Sequence, residues 1–259
     1  MAIEQLRHEY RTTEQSEAGK LRTWLDVHGV KAVIFDLDDT LIDMFAWEQI
    51  HEREFLGYVG QRLPEISPAE LKDSFDRANH EAYVTHSVHR DRWYEVFRKL
   101  SAQYGEDSGR TFTMALPILM HVYEDVPPML PGARATIDMF RTAVEKLGLV
   151  THAEEVFTNL KLDTHNIRSY FDVIQIADAH GKKTSNDWQA AVDALGVKPE
   201  ETLVIGDNVV GDIQAAHKIG VKYTVVLPSP WENYTQGHVP DQTIRAKNIS
   251  DVIPQIIKH

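Results

Sequence analysis

One stretch of the chain, Lys31–Leu41 with the sequence KAVIFDLDDTL, places the strongest constraint on the fold. It opens with an uninterrupted apolar run, residues 32–35, which is typical of a strand buried on both faces of a parallel sheet. Acidic and hydroxyl side chains follow at once. Because ligands of such sheets bind beyond the carboxyl ends of the strands, we predict an α/β fold with a binding site here.

Asp36 and Asp38 stand two residues apart in this stretch, so in an extended chain their side chains point to the same side. Two carboxylates this close repel each other and cannot both stay buried and ionised without a counter-charge. The pair therefore indicates a divalent cation and an anionic substrate. Asp39 should point elsewhere, as a solvated or turn residue, and the Thr40 hydroxyl should brace the loop.

The composition excludes several classes of function. The chain has 259 residues and a formal net charge of −12, which argues against non-specific nucleic-acid binding. It contains no cysteine, so disulfides and thiolate metal sites are excluded. Its first residues lack the apolar segment of a secretion signal, and no stretch approaches the ~18 apolar residues of a membrane span. We therefore expect a cytoplasmic monomer or homodimer that binds neither nucleic acid nor membrane.

The periodicity divides the chain into three regions. Residues 1–29 form an N-terminal helical extension, in which Ile3, Leu6 and Tyr10 share one helical face and Leu21, Trp24 and Leu25 share another. Residues 44–125 form an inserted helical bundle without strand-like runs. Its predicted helices are Met44–Gln61, Pro68–Thr85, Asp91–Tyr104 and Thr111–Tyr123, with Ser67 as an N-cap and a kink or a helix boundary at Pro117.

The α/β core comprises residues 30–43 and 126–259, in which helices and strands alternate as in a parallel sheet. The predicted strands after the first are Lys146–Val150, Val173–Ile176, Leu203–Ile205 and Tyr223–Val226. The predicted helices are Ala133–Phe140, Glu154–Lys161, Trp188–Leu195, Ile213–Ile219 and Ile249–Ile256. This pattern predicts a Rossmann-like sheet with the helical bundle inserted after its first strand.

Three further loops place polar residues where these strands end. Thr151 closes the strand KLGLV, Lys182 and Lys183 follow the next strand, and GDNVVGD follows the apolar run TLVI at Gly206–Asp212. Together with DLDDTL, these motifs resemble the haloacid dehalogenase superfamily, in particular phosphatases of the phosphoglycolate phosphatase and nucleotidase type. The resemblance runs from about Lys31 to the end of the chain and includes a helical cap inserted after the first strand.

This resemblance implies a role for each aspartate. Asp36 matches the nucleophile of the family and Asp38 the residue that protonates the leaving alcohol. Asp36, the backbone carbonyl of Asp38, and Asp207 would hold a metal ion, and this all-oxygen set favours Mg²⁺. Asp212 is either the N-cap of a helix or a residue that binds the metal or anchors the motif lysine.

The same resemblance implies that Thr151 binds the transferring phosphoryl oxygens. His152 stands where many relatives have asparagine, so it either faces the substrate or lies at the surface. The family lysine that balances the charge of nucleophile and phosphate is Lys182 or Lys183. Counting back from Trp188 favours Lys182, although the proline and acid that surround this lysine in relatives are missing here.

The predicted activity is thus Mg²⁺-dependent hydrolysis of a small phosphorylated metabolite through an aspartyl-phosphate. A phosphomutase would use the same residues, and a catalytically inactive relative would serve as a binding or regulatory protein. A haloacid dehalogenase would not need Asp38. The cap also holds basic and aromatic residues that could contact a substrate, and an arginine there could bind a second anionic group. These residues are His80, His86, His89, Arg90, Arg92, Trp93 and Tyr94.

Overall fold

The computed structural model describes residues 17–259, and the predicted helical face of Ile3, Leu6 and Tyr10 lies outside this range. A single six-stranded parallel sheet with the strand order β3-β2-β1-β4-β5-β6 forms the centre of the molecule. Its strands are β1 (Ala32–Phe35), β2 (Lys146–His152), β3 (Val173–Ala177), β4 (Thr202–Gly206), β5 (Tyr223–Val226) and β6 (Ile244–Arg245). The predicted Rossmann-like α/β fold is therefore confirmed.

Helices cover both faces of the sheet. They are α1 (residues 17–28), α5 (Ala133–Ala143), α6 (Glu155–Thr164), α7 (Ser185–Leu195), α8 (Ala215–Lys218) and α9 (Val252–Lys258). Because strand residues alternate between faces, Val33 and Phe35 pack with α1, α5 and α9, whereas Ile34 packs with α7 and α8. Every side chain of β1 is fully buried, as its apolar run predicted.

The helix at residues 17–28 belongs to this core. Leu21, Trp24 and Leu25 are buried in the same cluster as Phe35, so the predicted apolar face of this segment is confirmed. The helix ends at Gly29, which adopts a positive φ of 67°, a conformation that glycine tolerates without steric cost.

Three long helices lie between β1 and α5 and form their own apolar cluster. They are α2 (Met44–Arg62), α3 (Pro68–His86) and α4 (Asp91–Met120). The Ser67 side chain accepts a hydrogen bond from the Glu70 amide at 3.2 Å, as the predicted N-cap requires. The division into an extension, a core and a cap with the boundaries given above stays a prediction, and the name cap is used below for α2–α4.

Two helices differ in part from their predictions. Pro117 lies inside α4 and marks no boundary in it. The chain leaves helical geometry at Gly105, with φ 83° and ψ 175°, in agreement with the predicted end of a helix at Tyr104. Glycine adopts a positive φ readily, which explains why the break falls there. The predicted helix Ile213–Ile219 is instead a π-helical turn at Val209–Gln214 followed by α8.

Candidate active site

The loop after β1 directs two carboxylates toward the carboxyl edge of the sheet. The Asp36 amide donates to the Ile205 carbonyl at 2.9 Å, which extends the pairing of β1 with β4 by one residue. The Asp36 side chain is buried, and the Thr40 hydroxyl donates to its Oδ2 at 3.1 Å. Thr40 therefore braces Asp36, as the sequence predicted.

A cavity of about 310 Å³ brings the polar loop ends together. The residues of the predicted motifs that line it are Asp36, Asp38, Thr151, His152, Lys182, Lys183, Asp207 and Asn208. They come from the end of β2 and from the loops after β3, β1 and β4, four adjacent strands whose carboxyl ends meet at the same edge. The topology therefore assembles one polar site from segments that are far apart in the sequence.

Lys183 lies between two of the carboxylates. Its Nζ is 2.5 Å from Asp36 Oδ1 and 2.5 Å from Asp212 Oδ1. Burial would lower the pKa of Lys183, but the carboxylates of Asp212 and Asp36 outweigh this effect and raise it above the usual value. The ammonium group is thus kept charged inside the site.

The structure favours Lys183 as the lysine that faces Asp36, whereas the count from Trp188 favoured Lys182. Lys182 is exposed, whereas Lys183 is buried against the carboxylates. Trp188, the residue used for counting, lies in α7 and donates its indole N–H to the Gly211 carbonyl at 2.7 Å. The count from Trp188 depends on the proline pattern that relatives have before this helix, and the loop before α7 lacks that pattern.

The loop after β4 supplies the other two acidic groups. Asp207 is buried, and its Oδ2 accepts a hydrogen bond from the Ser229 hydroxyl at 2.6 Å. Asp212 Oδ2 accepts the Asn208 amide at 3.0 Å, while the Asn208 side chain caps the turn by accepting the amides of Val210 and Gly211. Helix capping is therefore performed by Asn208, and Asp212 anchors Lys183.

Gly206 is required for this arrangement. A Cβ atom at this position would lie 2.2 Å from Asp212 Oδ2, which is far inside van der Waals contact. The glycine before Asp207 thus allows the Asp212 carboxylate to approach the backbone and reach Lys183.

Asp36, Asp207 and Asp212 can each place one carboxylate oxygen within 4.8 Å of the others. Burial is the largest cause that raises the pKa of Asp36, to about 7, and Lys183 opposes the shift. Burial also raises the pKa of Asp207 well above its usual value, and the carboxylates of Asp36 and Asp212 add to the shift. One ammonium group thus faces three buried carboxylates. This excess of negative charge and the all-oxygen donor set fit a divalent cation.

The end of β2 presents a free hydroxyl to the cavity. Thr151 is buried, and its Oγ1 has no hydrogen-bond partner among residues 17–259, a state that costs free energy unless a ligand supplies the partner. His152 lines the same cavity. Burial lowers the pKa of His152 to about 4, and Lys183 adds to the shift, so its imidazole is uncharged near neutral pH.

A buried lysine that the sequence analysis had not identified, Lys161, holds the Asp38 side chain in place. Lys161 in α6 is fully buried, and its Nζ lies 2.6 and 2.8 Å from the two Asp38 carboxylate oxygens. The ammonium group also lies 4.6 Å from the centre of the Phe157 ring. In the sequence Lys161 resembles any polar residue of an amphipathic helix, and only the packing of α6 against the β1 loop shows its partner.

Asp39 was predicted to be a solvated or turn residue; it does lie in a turn, but it is not solvated. The residue is buried and has a φ of 57°. Its Oδ1 accepts the Phe45 amide at 2.8 Å, and its Oδ2 accepts the Trp231 indole N–H at 2.6 Å. Asp39 therefore ties the start of α2 to the loop after β5.

Comparison with known proteins agrees with this geometry. Residues 30–220 match the family model described as "Hydrolase: haloacid dehalogenase-like hydrolase". The phosphoglycolate phosphatase of Aquifex aeolicus is 26% identical over 89% of this chain and 98% of the relative. The glyceraldehyde 3-phosphate phosphatase of Methanopyrus kandleri is 25% identical over 88% of this chain and 99% of the relative.

Solved structures share the fold. The crystal structure of a haloacid dehalogenase-like hydrolase from Xanthomonas campestris aligns with a TM-score of 0.69 and 16% identity. The alignment covers 87% of this chain and 93% of that structure. At this level of identity the similarity concerns the fold.

Proposed function

Because the chain belongs to the haloacid dehalogenase-like hydrolase family, we propose that it is a Mg²⁺-dependent phosphatase that hydrolyses a small phosphomonoester through a phosphorylated Asp36. One observation supports the proposal above all others. Asp36 and Asp38 share a cavity with a buried lysine, a buried acidic residue and a free threonine hydroxyl. Curated relatives with phosphatase names support the same class of reaction.

Asp36 would act as the nucleophile. Its carboxylate attacks phosphorus, the bond from phosphorus to the ester oxygen breaks, and an aspartyl-phosphate forms on the side chain. Lys183 at 2.5 Å and the Thr40 hydroxyl at 3.1 Å hold this carboxylate in one orientation. Because this geometry is fixed before the reaction, it lowers the entropy cost of bringing the reacting groups together.

Asp38 would move the proton. In the first step its carboxyl group protonates the departing alcohol, and in the second its carboxylate takes a proton from the water that attacks the aspartyl-phosphate. This kind of general acid–base catalysis is worth about 10²–10⁴-fold. Lys161 fixes the position of the Asp38 side chain through two short contacts.

Mg²⁺ would be held by Asp36, by Asp207 and by the backbone carbonyl of Asp38. When bound, it neutralises the carboxylates and orients the phosphoryl group. Asp212 was predicted as a further metal ligand. Because its two oxygens already contact Lys183 and the Asn208 amide, we assign it the anchoring of Lys183 instead.

Thr151 and Lys183 would bind the phosphoryl oxygens. The Thr151 hydroxyl is unpartnered and Lys183 is charged, so both offer donors to developing negative charge. Lys182 and the neutral His152 line the same cavity and would contact the substrate from its rim. The cap closes the cavity from the other side and restricts the size of the substrate.

The proposed function predicts that activity depends on a divalent cation. With Mg²⁺ the protein should release inorganic phosphate from at least one phosphomonoester, and EDTA should abolish release until excess Mg²⁺ is added. Phosphate release from a panel of esters tests this directly. A protein that releases no phosphate from any ester would be an inactive relative, and accumulation of an isomeric phosphate ester would identify a phosphomutase.

Replacing Lys161 with methionine should lower kcat for some phosphate esters more than for others. Loss of the two contacts leaves Asp38 mobile, so esters that need a proton on the leaving oxygen should lose about tenfold in kcat. An ester such as p-nitrophenyl phosphate, whose leaving group departs as an anion, should lose far less. Equal losses for both kinds of ester would show that Lys161 has only a structural role.

Lys31→Met is a suitable control for this variant. Lys31 also forms a lysine–carboxylate pair, with Glu201 at 2.7 Å, but that pair lies far from the site and its lysine side chain is half exposed. The control should leave kcat for both kinds of ester unchanged.

A further inference from the structure

A second cavity of about 480 Å³ adjoins the proposed phosphoryl site. The two cavities share the side chains of Asp38, Tyr83, His152, Asn233 and Tyr234. Asp38 therefore faces both of them. Since Asp38 would protonate the leaving oxygen, the alcohol part of a phosphomonoester bound at Asp36 would extend into this second cavity, which we term the alcohol cavity.

Aromatic rings form much of the wall of the alcohol cavity. They come from α3, from the segment after α4, from α6 and from the loop after β5, and are Tyr83, Tyr123, Phe157, Trp231 and Tyr234. Such a wall is suited to a ring system, because offset and edge-to-face contacts between aromatic groups add to the gain from burial. The volume lies in the range of cavities that bind small organic molecules.

The charges in this cavity disfavour a second anionic group. Arg92 is the only lysine or arginine that lines it within residues 17–259. Its Nη2 lies 3.0 Å from Glu48 Oε1, and its guanidinium stacks 4.2 Å from the centre of the Trp93 ring. The other charged groups in the wall are carboxylates, and three of them are already paired with basic residues outside the wall: Asp38 with Lys161, Asp76 with Lys72 and Glu154 with Arg90. Asp39 and Glu232 are further acidic groups of the wall. The expectation that a cap arginine would be free to bind a second anion is therefore not met at Arg92.

Two buried polar atoms of residues that line the cavity have no hydrogen-bond partner in the described part of the chain. Arg92 Nε is a free donor and Asn79 Oδ1 a free acceptor, and both residues line the cavity. A buried polar atom without a partner costs free energy, which a ligand would recover by supplying an acceptor for the first and a donor for the second. Hydroxyl groups and ring nitrogens offer such groups without a net charge.

We propose that the substrate is the phosphomonoester of an uncharged alcohol that bears an aromatic ring, a class that includes nucleoside monophosphates. This inference rests on the proposed phosphatase function and names the class of its substrate. It separates this chain from a phosphatase for phosphoglycolate, the substrate in the name of the Aquifex aeolicus relative. The carboxylate of phosphoglycolate would enter a cavity in which Glu48 already balances the charge of the Arg92 guanidinium.

Three esters test the inference on the wild-type protein with Mg²⁺ at pH 8, where histidine side chains of ordinary pKa are uncharged. They are benzyl phosphate, ethyl phosphate and phosphoglycolate, which all release an alkoxide-type leaving group. Burial of the ring should give benzyl phosphate a kcat/KM about 10- to 100-fold above that of ethyl phosphate. Phosphoglycolate should be no better than ethyl phosphate.

The outcomes separate this inference from the proposed function. Hydrolysis in which phosphoglycolate or ethyl phosphate equals or exceeds benzyl phosphate would overturn the substrate class and leave the phosphatase intact. No phosphate release from any of the three, with Mg²⁺ present, would contradict the phosphatase itself.

Glu48→Gln provides a second test of the charge argument. The substitution keeps the shape of the side chain and frees the Arg92 guanidinium, so kcat/KM for phosphoglycolate should rise about tenfold relative to ethyl phosphate. Glu54 lies on the same helix, and its side chain is largely exposed. Glu54→Gln should therefore leave the ratio of kcat/KM for phosphoglycolate to that for ethyl phosphate unchanged. An unchanged ratio in Glu48→Gln would contradict the role assigned to the Glu48–Arg92 pair.

Discussion

Replacing Asp36 with asparagine should reduce kcat by about 10⁴-fold or more, the magnitude typical for loss of a catalytic nucleophile. The amide cannot form the covalent intermediate, and it also removes one proposed metal ligand. The side chains have nearly the same shape, and Lys183 would keep its contact with Asp212 at 2.5 Å, so the fold should persist. Phosphate release measured beside circular dichroism separates lost chemistry from lost structure.

Asp241→Asn is a control for the same change of side chain. Asp241 is exposed and lies outside the cavity, so its variant should keep wild-type activity. If Asp36→Asn hydrolyses substrate as fast as the wild type, another group attacks phosphorus and the proposed mechanism is wrong.

The two lysines of the loop before α7 should differ sharply in their effect on catalysis. Lys183→Met should lower kcat about 100-fold or more, because it removes the charged donor beside the nucleophile. Lys182→Met should change kcat by no more than about threefold, since Lys182 is exposed and forms none of these contacts. Steady-state kinetics of both variants with one substrate measures the difference.

Lys183→Met leaves buried carboxylates unpaired, which can destabilise a protein by about 3–5 kcal/mol. Asp212→Asn serves as a second variant for this reason. It keeps Lys183 but removes the carboxylate that anchors it, so kcat should fall by an intermediate amount while most of the stability is retained. Similar small losses in both lysine variants would contradict the assignment of Lys183.

The fold and the position of the site could be predicted because both depend on local patterns. Apolar runs such as Ala32–Phe35 can be buried on both faces only inside a parallel sheet. The polar residues that follow each run then meet at one edge whatever the details of the loops. This reasoning placed Asp36, Asp38, Thr151 and Asp207 together, and the structure brings them to one cavity.

The remaining features depend on contacts between distant segments. The choice of Lys183 over Lys182 depends on how one loop turns, and a shift of one residue in an irregular loop leaves no trace in the sequence pattern. Lys161 contacts Asp38, which lies 123 residues earlier in the chain. Arg92 on α4 contacts Glu48 on α2. No spacing rule predicts which charged residue of an amphipathic helix turns inward to such a partner.

Asp39 shows the same limit within the central motif itself. Its position beside Asp38 indicated a turn, and its positive φ agrees with a turn. The Asp39 side chain is nevertheless buried, because it contacts Trp231. Trp231 lies 192 residues later in the chain, and its indole N–H donates to Asp39. The motif therefore predicts the local backbone, whereas the tertiary structure decides the environment of each carboxylate.

Trapping the covalent intermediate tests the central claim most directly. Asp38→Asn should form the aspartyl-phosphate from p-nitrophenyl phosphate, whose leaving group needs no proton, but should hydrolyse it slowly because the general base is missing. Acid quenching followed by borohydride reduction converts an aspartyl-phosphate to homoserine, which peptide mass spectrometry locates. We expect homoserine at residue 36; an unmodified Asp36 at a time when nitrophenol is being released, or homoserine at any other position, would contradict the assignment of Asp36 as the nucleophile.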